Sequence, residues 1–188
     1  MKRLVIITVG KTHSGKTTFA RMLENRLTNS IVMDQDNHAA FINKHYEKIQ
    51  PKQGPNTLKH AISKLIVDYT VEHTNHHLII CNSNRSIYDR KYLLDELFPK
   101  DDFTRILVSF DIPDEILLAR IQNSNRDTHI FRKVTNFEEV LARQQADSKR
   151  KDVRNPTQEE ADYLFVIKDS EEVMKVVEEI RHIANLVR

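Results

Sequence analysis

Gly10-Lys11-Thr12-His13-Ser14-Gly15-Lys16-Thr17 decides how this chain reads, because it satisfies every fixed position of the pattern G-x-x-x-x-G-K-[ST]. Before it runs Leu4-Val5-Ile6-Ile7-Thr8-Val9, a short apolar segment expected to form a buried strand. After it Thr18 to Leu27 carries apolar residues at helical spacing. A glycine loop between strand and helix aims successive backbone N–H groups at a phosphate chain, and the helix adds partial positive charge at its N-terminus. Gly10, His13, Ser14, Gly15, Lys16, Thr17 and Thr18 are the expected nucleotide-binding residues. Lys16 reaches the β and γ phosphates in such a loop, and the Thr17 hydroxyl holds Mg2+. The chain has only three glycines. Two of them stand where this loop needs them.

Working outward, four further apolar runs alternate with helical patterns: Ile31 to Met33, Leu78 to Cys81, Arg105 to Phe110 and Tyr163 to Ile167. Helices are expected over about 16–28, 37–48, 57–74, 87–98, 113–123, 137–150 and 170–187. Strands alternating with helices predict an α/β fold of three α/β/α layers, with a five-stranded, mostly parallel sheet. Ligands then bind beyond the carboxyl ends of the strands. The 188 residues read as a single domain, with an acceptor-side insertion over about 37–56 and a lid over about 122–136. Both segments are polar, and the insertion is broken by Pro51, Gly54 and Pro55.

Charged residues are 30% of the chain but balance to +2, so no strong field selects nucleic acid or a membrane surface. One cysteine, Cys81, excludes an internal disulfide framework and suits a reducing compartment; it reads as an inert buried thiol. No apolar run approaches the ~20 residues needed to span a bilayer, and a cytoplasmic location is expected. His73, His76 and His77 lack companion ligands at metal-site spacing; a helix end explains them.

Chemistry is expected where the strands stop. Asp34-Gln35-Asp36 places two carboxylates at the end of the second strand. Asp36 is the general-base candidate for an acceptor hydroxyl, and Asp34 its partner in metal or acceptor contact, so the expected metal set is Thr17, Asp34 and Asp36. Both would also serve as caps of the following helix. Asn82 and Arg85, after the third strand, are acceptor candidates; Arg90 reads either as a phosphate contact or as a surface ion pair. In the lid, Arg126 is the first choice for stabilising the transferring phosphoryl group, with Arg120 and Arg132 as alternatives.

With these pieces in place, the chain resembles the P-loop kinases that phosphorylate hydroxyls, notably polynucleotide kinases and nucleoside or ribosyl-nucleoside kinases. The resemblance rests on Gly10 to Arg21, Val32 to Asp36, Leu78 to Asn84 and Phe110-Asp111-Ile112-Pro113 leading to Leu117-Leu118-Ala119-Arg120. It implies an ATP- and Mg2+-dependent transfer of the γ-phosphate to a hydroxyl of a small metabolite, nucleoside or polynucleotide end. It also implies a base at Asp36, lid arginines at Arg126 or Arg120, and an adenine region at Lys168, Asp169 and Ser170. Asn82 departs from the polynucleotide kinases, which usually have Asp there. A nucleotide-binding ATPase or a regulatory module without an acceptor is the alternative reading. The acceptor and the oligomeric state have no signature in the sequence.

Overall fold

The structure, a computed structural model, describes residues 2–187. In chain order it contains β1 (Arg3–Gly10), α1 (Lys16–Glu24), β2 (Ser30–Asp34), α2 (Gln35–His45), a 3-10 turn (Glu47–Ile49), α3 (Thr57–His73) and β3 (His77–Cys81). There follow α4 (Ile87–Lys91), continued as a π-helical stretch (Tyr92–Leu97), then β4 (Phe103–Phe110), α5 (Asp114–Gln122), α6 (Phe137–Asp147), a second 3-10 turn (Gln158–Glu160), β5 (Tyr163–Ile167) and α7 (Glu172–Leu186). The five strands lie in the order β2-β3-β1-β4-β5. Every pairing in the sheet is parallel.

The period of two along a strand sends alternate side chains of β1 to opposite faces. Leu4 and Ile6 join a core with Phe19 and Leu23 of α1, Leu117 of α5, Leu141 of α6 and Val177 and Ile180 of α7. Val5, Ile7 and Val9 join a second core with Val67 of α3, and Leu94 and Phe98 of the helix after β3. A strand buried on both faces reads as a continuous apolar run, which is why the run before the glycine loop was legible.

Strand order reverses at β1. Chain leaving β1 goes past β3 to form β2 at one edge, and later strands β4 and β5 extend the sheet from the other side of β1. The crevice beyond β1 is therefore the topological switch point where α/β sheets bind ligands. Two local departures from sequence expectation matter. The stretch 37–56 is helical through His45, so its irregular part is confined to 46–56. The histidines divide between elements: His73 ends α3, and His77 begins β3, where its Nδ1 accepts the Leu4 backbone N–H at 2.9 Å. Among the described residues, no cluster of His, Cys, Asp or Glu is arranged to hold a metal by itself, and no helix is long and apolar enough to cross a membrane.

Candidate active site

β1 ends in the glycine loop, and its shape follows from the residues that cannot be anything else. A Cβ on Gly10 would stand 2.9 Å from Ser14 Oγ and 3.0 Å from Phe110 Cβ. Gly15 has φ +102°, in the left-handed region, immediately before α1. His13 also takes a left-handed φ of 56°. Its ring meets Phe137 edge-on at 4.6 Å. Burial, joined by Arg126, Lys16 and Arg120, pulls His13 down to about 4, so its imidazole is neutral at pH 7.

Lys16 folds back over the loop. Its Nζ donates to the Lys11 carbonyl and to Ser14 Oγ, the latter at 3.1 Å. Burial pulls this ammonium down to about 8, and an anionic phosphate is the group that would hold its charge. The loop is braced from outside: Lys11 Nζ pairs with Asp114 Oδ1 at 2.5 Å, and the Thr12 backbone N–H donates to Gln144 Oε1 at 2.7 Å.

Asp34 and Asp36 sit at the carboxyl end of β2, and the capping reading holds for Asp34. Asp34 caps α2 by accepting the Asp36 backbone N–H at 2.9 Å through Oδ1. Its other oxygen, Oδ2, accepts from Thr17 Oγ1 at 3.4 Å. Asp34 is 5% exposed, and burial pushes its carboxyl above the ordinary value. A hydroxyl and a carboxylate side by side are hard oxygen donors of the kind Mg2+ takes, with phosphate and water completing the set. Cys81 Sγ, 3.6 Å from the same hydroxyl, does not compete; burial pushes its thiol up to about 11. Thr17 and Asp34 thus fit the implied Mg2+, whereas Asp36 faces the lid.

Asp36 Oδ2 accepts from Arg126 Nη2 at 2.5 Å, and the Arg126 guanidinium lies 5.1 Å over the Phe137 ring. The chain therefore brings together, around one cleft of about 940 Å³, the glycine loop, both carboxylates, Asn82 and Arg126. Arg120 lines it too, donating to the His13 carbonyl and to Ser170 Oγ, each at 3.2 Å. At that end Ile112, Ile167, Val173 and Met174 supply an apolar wall beside Asp169 and Ser170. Asp169 Oδ1 accepts the backbone N–H groups of Glu171 and Glu172, and Lys168 contributes its backbone N–H to Glu172 Oε2 at 2.7 Å.

Two expected contacts fall elsewhere. Arg85 turns away from the cleft, donating to the Gln144 carbonyl at 2.9 Å and to Ser148 Oγ on α6. Its direction follows from Asn84, which has φ 44° and donates through Nδ2 to the Thr8 carbonyl, turning the chain there. Arg90 is not on the surface. It is fully buried and makes a two-point contact with Glu160, at 2.7 and 3.0 Å. Asn82 does line the cleft, but its Nδ2 is engaged by Gln35 Oε1 at 2.9 Å.

The family model of an AAA domain (AAA_33) matches residues 5–151, most of the chain, from β1 past α6. The chain belongs to this AAA domain family. Among curated proteins, none matches it by sequence. Solved structures similar to it include a candidate kinase of Chloroflexus aurantiacus, 16% identical, covering 97% of this chain and 98% of that one with a TM-score of 0.67. They also include shikimate kinase of Bacteroides thetaiotaomicron, 13% identical over 97% and 98% of the two chains, with a TM-score of 0.56. The APS kinase of Mycobacterium tuberculosis, in complex with AMPPNP and APS, is 14% identical over 94% and 96%, with a TM-score of 0.57. At such identities the likeness is one of fold. This AAA domain thus has the P-loop kinase fold, and the polynucleotide kinase subtype gains no particular support.

Sequence reasoning passed over several residues that line the cleft of this AAA domain, among them Lys59 and Asn56 of the segment that opens α3, and Arg143 of α6. Lys59 and Arg143 lie on helices whose patterns read as scaffold. Only the fold shows which turn of each faces the cleft.

Proposed function

We propose that this protein is an ATP-dependent phosphotransferase that moves the γ-phosphate to an acceptor hydroxyl. The supporting observation is that Asp36, held by Arg126, shares one cleft with the glycine loop and with the Thr17–Asp34 pair. A carboxylate at that place repels phosphate, so beyond holding Arg126 it adds nothing to nucleotide binding. It has a use if a hydroxyl must be oriented and its proton received.

In the step, the acceptor oxygen attacks the γ-phosphorus, the bond from that phosphorus to the bridging oxygen breaks, and ADP leaves. The acceptor proton passes to Asp36. Lys16 accompanies the β and γ oxygens. Arg126, whose planar fork suits a phosphoryl group, balances charge between Asp36 and the transferring phosphate. Mg2+, when bound at Thr17 and Asp34, neutralises charge on the phosphates. Ile112, Val173, Asp169 and Ser170 form the adenine side, and Asn82 orients the acceptor through its pairing with Gln35.

ATP consumption with and without pools of hydroxyl-bearing acceptors tests this reading. One pool should stimulate turnover strongly, whereas uniform slow hydrolysis would leave an ATPase without an acceptor. Asp36→Asn should retain nucleotide affinity while turnover drops by about two orders of magnitude or more. Lys16→Ala should weaken the phosphate site itself; normal ATP affinity with normal turnover in that variant would remove the loop assignment.

A further inference from the structure

We infer that the phosphoryl acceptor is a small molecule carrying a second, anionic group besides its reactive hydroxyl, and that Lys59 on α3 is the residue that binds this group. The inference rests on the phosphotransferase reading above and adds the chemical class of the acceptor.

The charge layout beyond Asp36 carries it. Arg126 and Asp36 neutralise each other. Arg132 of the lid also lines the cleft, but its partners are the carbonyls of Pro51 and Gly54, each at 2.6 Å, and no carboxylate among the described residues pairs with it. Lys59, which lines the same cleft, is half-buried, and among the described residues its ammonium makes no hydrogen bond or ion pair; its backbone N–H donates to the Asn56 side chain at 3.3 Å and its carbonyl accepts from Ser63 Oγ at 2.9 Å. Lysine ordinarily keeps its ammonium in water by extending its stem. Here burial, aided by Arg132, draws the ammonium below its ordinary value, while Asp36 and Asp34 act in the opposite sense. Two cations with unspent charge therefore face the space next to the base. A phosphate or carboxylate placed there removes their repulsion and supplies the partner that Lys59 lacks.

The enclosure speaks for a small acceptor. Asn43 Nδ2 donates across to the lid carbonyls of His129 at 2.5 Å and Phe131 at 3.1 Å, and Arg132 binds the 46–56 segment from the other side. These ties hold α2, the 46–56 segment and the lid together beside the cleft, which favours a metabolite over a polymer. A metabolite-sized anion would lie beneath them.

The test uses matched acceptors on one carbon skeleton: ribose with ribose 5-phosphate, glucose with glucose 6-phosphate, and glucose with gluconate. The phosphate and carboxylate members distinguish the two anion types. With the full chain, ATP and Mg2+, an anionic member should exceed its neutral partner in kcat/KM by about 100-fold, in line with a desolvated charge-assisted contact. Lys59→Gln should raise KM for that member by tenfold or more while kcat moves a few-fold, and Lys59→Arg should recover part of the loss. ADP affinity, measured in parallel, reports on folding. Equal use of neutral members, preference for an oligonucleotide 5′-hydroxyl, or a Lys59→Gln effect on kcat shared by every acceptor would overturn the inference, the last by making Lys59 a positioning residue for Asp36. Calorimetric titration of the same sugars into the ADP-saturated protein separates the two readings. Binding of an anionic member that depends on Lys59, without turnover, would keep the anion site and remove the kinase; turnover of neutral acceptors without any such binding would do the reverse.

Discussion

At the scale of single residues, Gly10 shows how a motif position is enforced by packing. It lies opposite Phe110 in the register between β1 and β4, so the atoms a Cβ would strike belong to a paired strand and to the loop's own Ser14. Neither can move cheaply. Gly10→Ala should lower stability by about 1–3 kcal/mol and weaken nucleotide binding as Ser14 is displaced. The urea midpoint and the ADP affinity check both effects, and an unchanged midpoint at constant m would show that the loop yields to a methyl group. This position was legible because the pattern states it. The place of Asp36 in the cleft was legible too, because α/β sheets bind ligands beyond the carboxyl ends of their strands. Lys59 was not, since nothing in an exposed-looking helix tells which lysine turns toward a cleft shared with residues as distant in sequence as Thr12 and Arg132.

Among the elements, the lid and the 46–56 segment form a single unit. Gln50 Nε2 donates to Asn43 Oδ1 at 2.7 Å, Asn56 Nδ2 to Gln50 Oε1 at 3.1 Å, and Arg132 to the Pro51 and Gly54 carbonyls. The sequence marked both segments as polar and irregular, but their union was hidden. The acceptors that tie Arg132 to 46–56 are backbone carbonyls, which every residue has, so no side-chain pattern advertises the contact. The same reason hid the direction of Arg85, whose course depends on a left-handed turn at Asn84. Arg132→Met keeps the apolar stem and removes the donors. It should speed amide hydrogen exchange in both 46–56 and 122–136 by about tenfold, with global stability lowered by less than about 1 kcal/mol, because local opening there does not cross the sheet. Exchange that rises in only one of the two segments would mean that they open independently.

For the molecule as a whole, the three layers and the parallel five-stranded sheet were readable from the alternation of apolar runs with helical patterns, whereas the order of the strands and the fastening around Arg90 were not. Arg90 joins three separate stretches: its Nη1 donates to the carbonyls of Asn84, Arg85 and Arg154, and its other nitrogens hold Glu160 just before β5. The sequence shows only one arginine on an amphipathic helix, with Glu160 far along the chain. Removing the cation strands a carboxylate and three carbonyls, so Arg90→Met should cost about 3–5 kcal/mol. The pair also sets how the fold meets acid. Burial pushes the Glu160 carboxyl up, but Arg90 and the Thr157 backbone N–H together pull it further down, and it settles below the ordinary value of 4.5. In the unfolded chain the carboxyl takes its proton near 4.5; in the fold it holds out to lower pH. Its contribution is therefore complete above about 4.5 and is lost as pH falls through the folded value. Stability from urea unfolding should decline as pH falls below about 4.5, and Glu160→Gln should flatten that decline while lowering stability at pH 7. An equally steep decline in Glu160→Gln would place the acid-sensitive group elsewhere, with Asp114, held low by Lys11 and Gln145 against a burial effect that raises it, as the next carboxylate to replace.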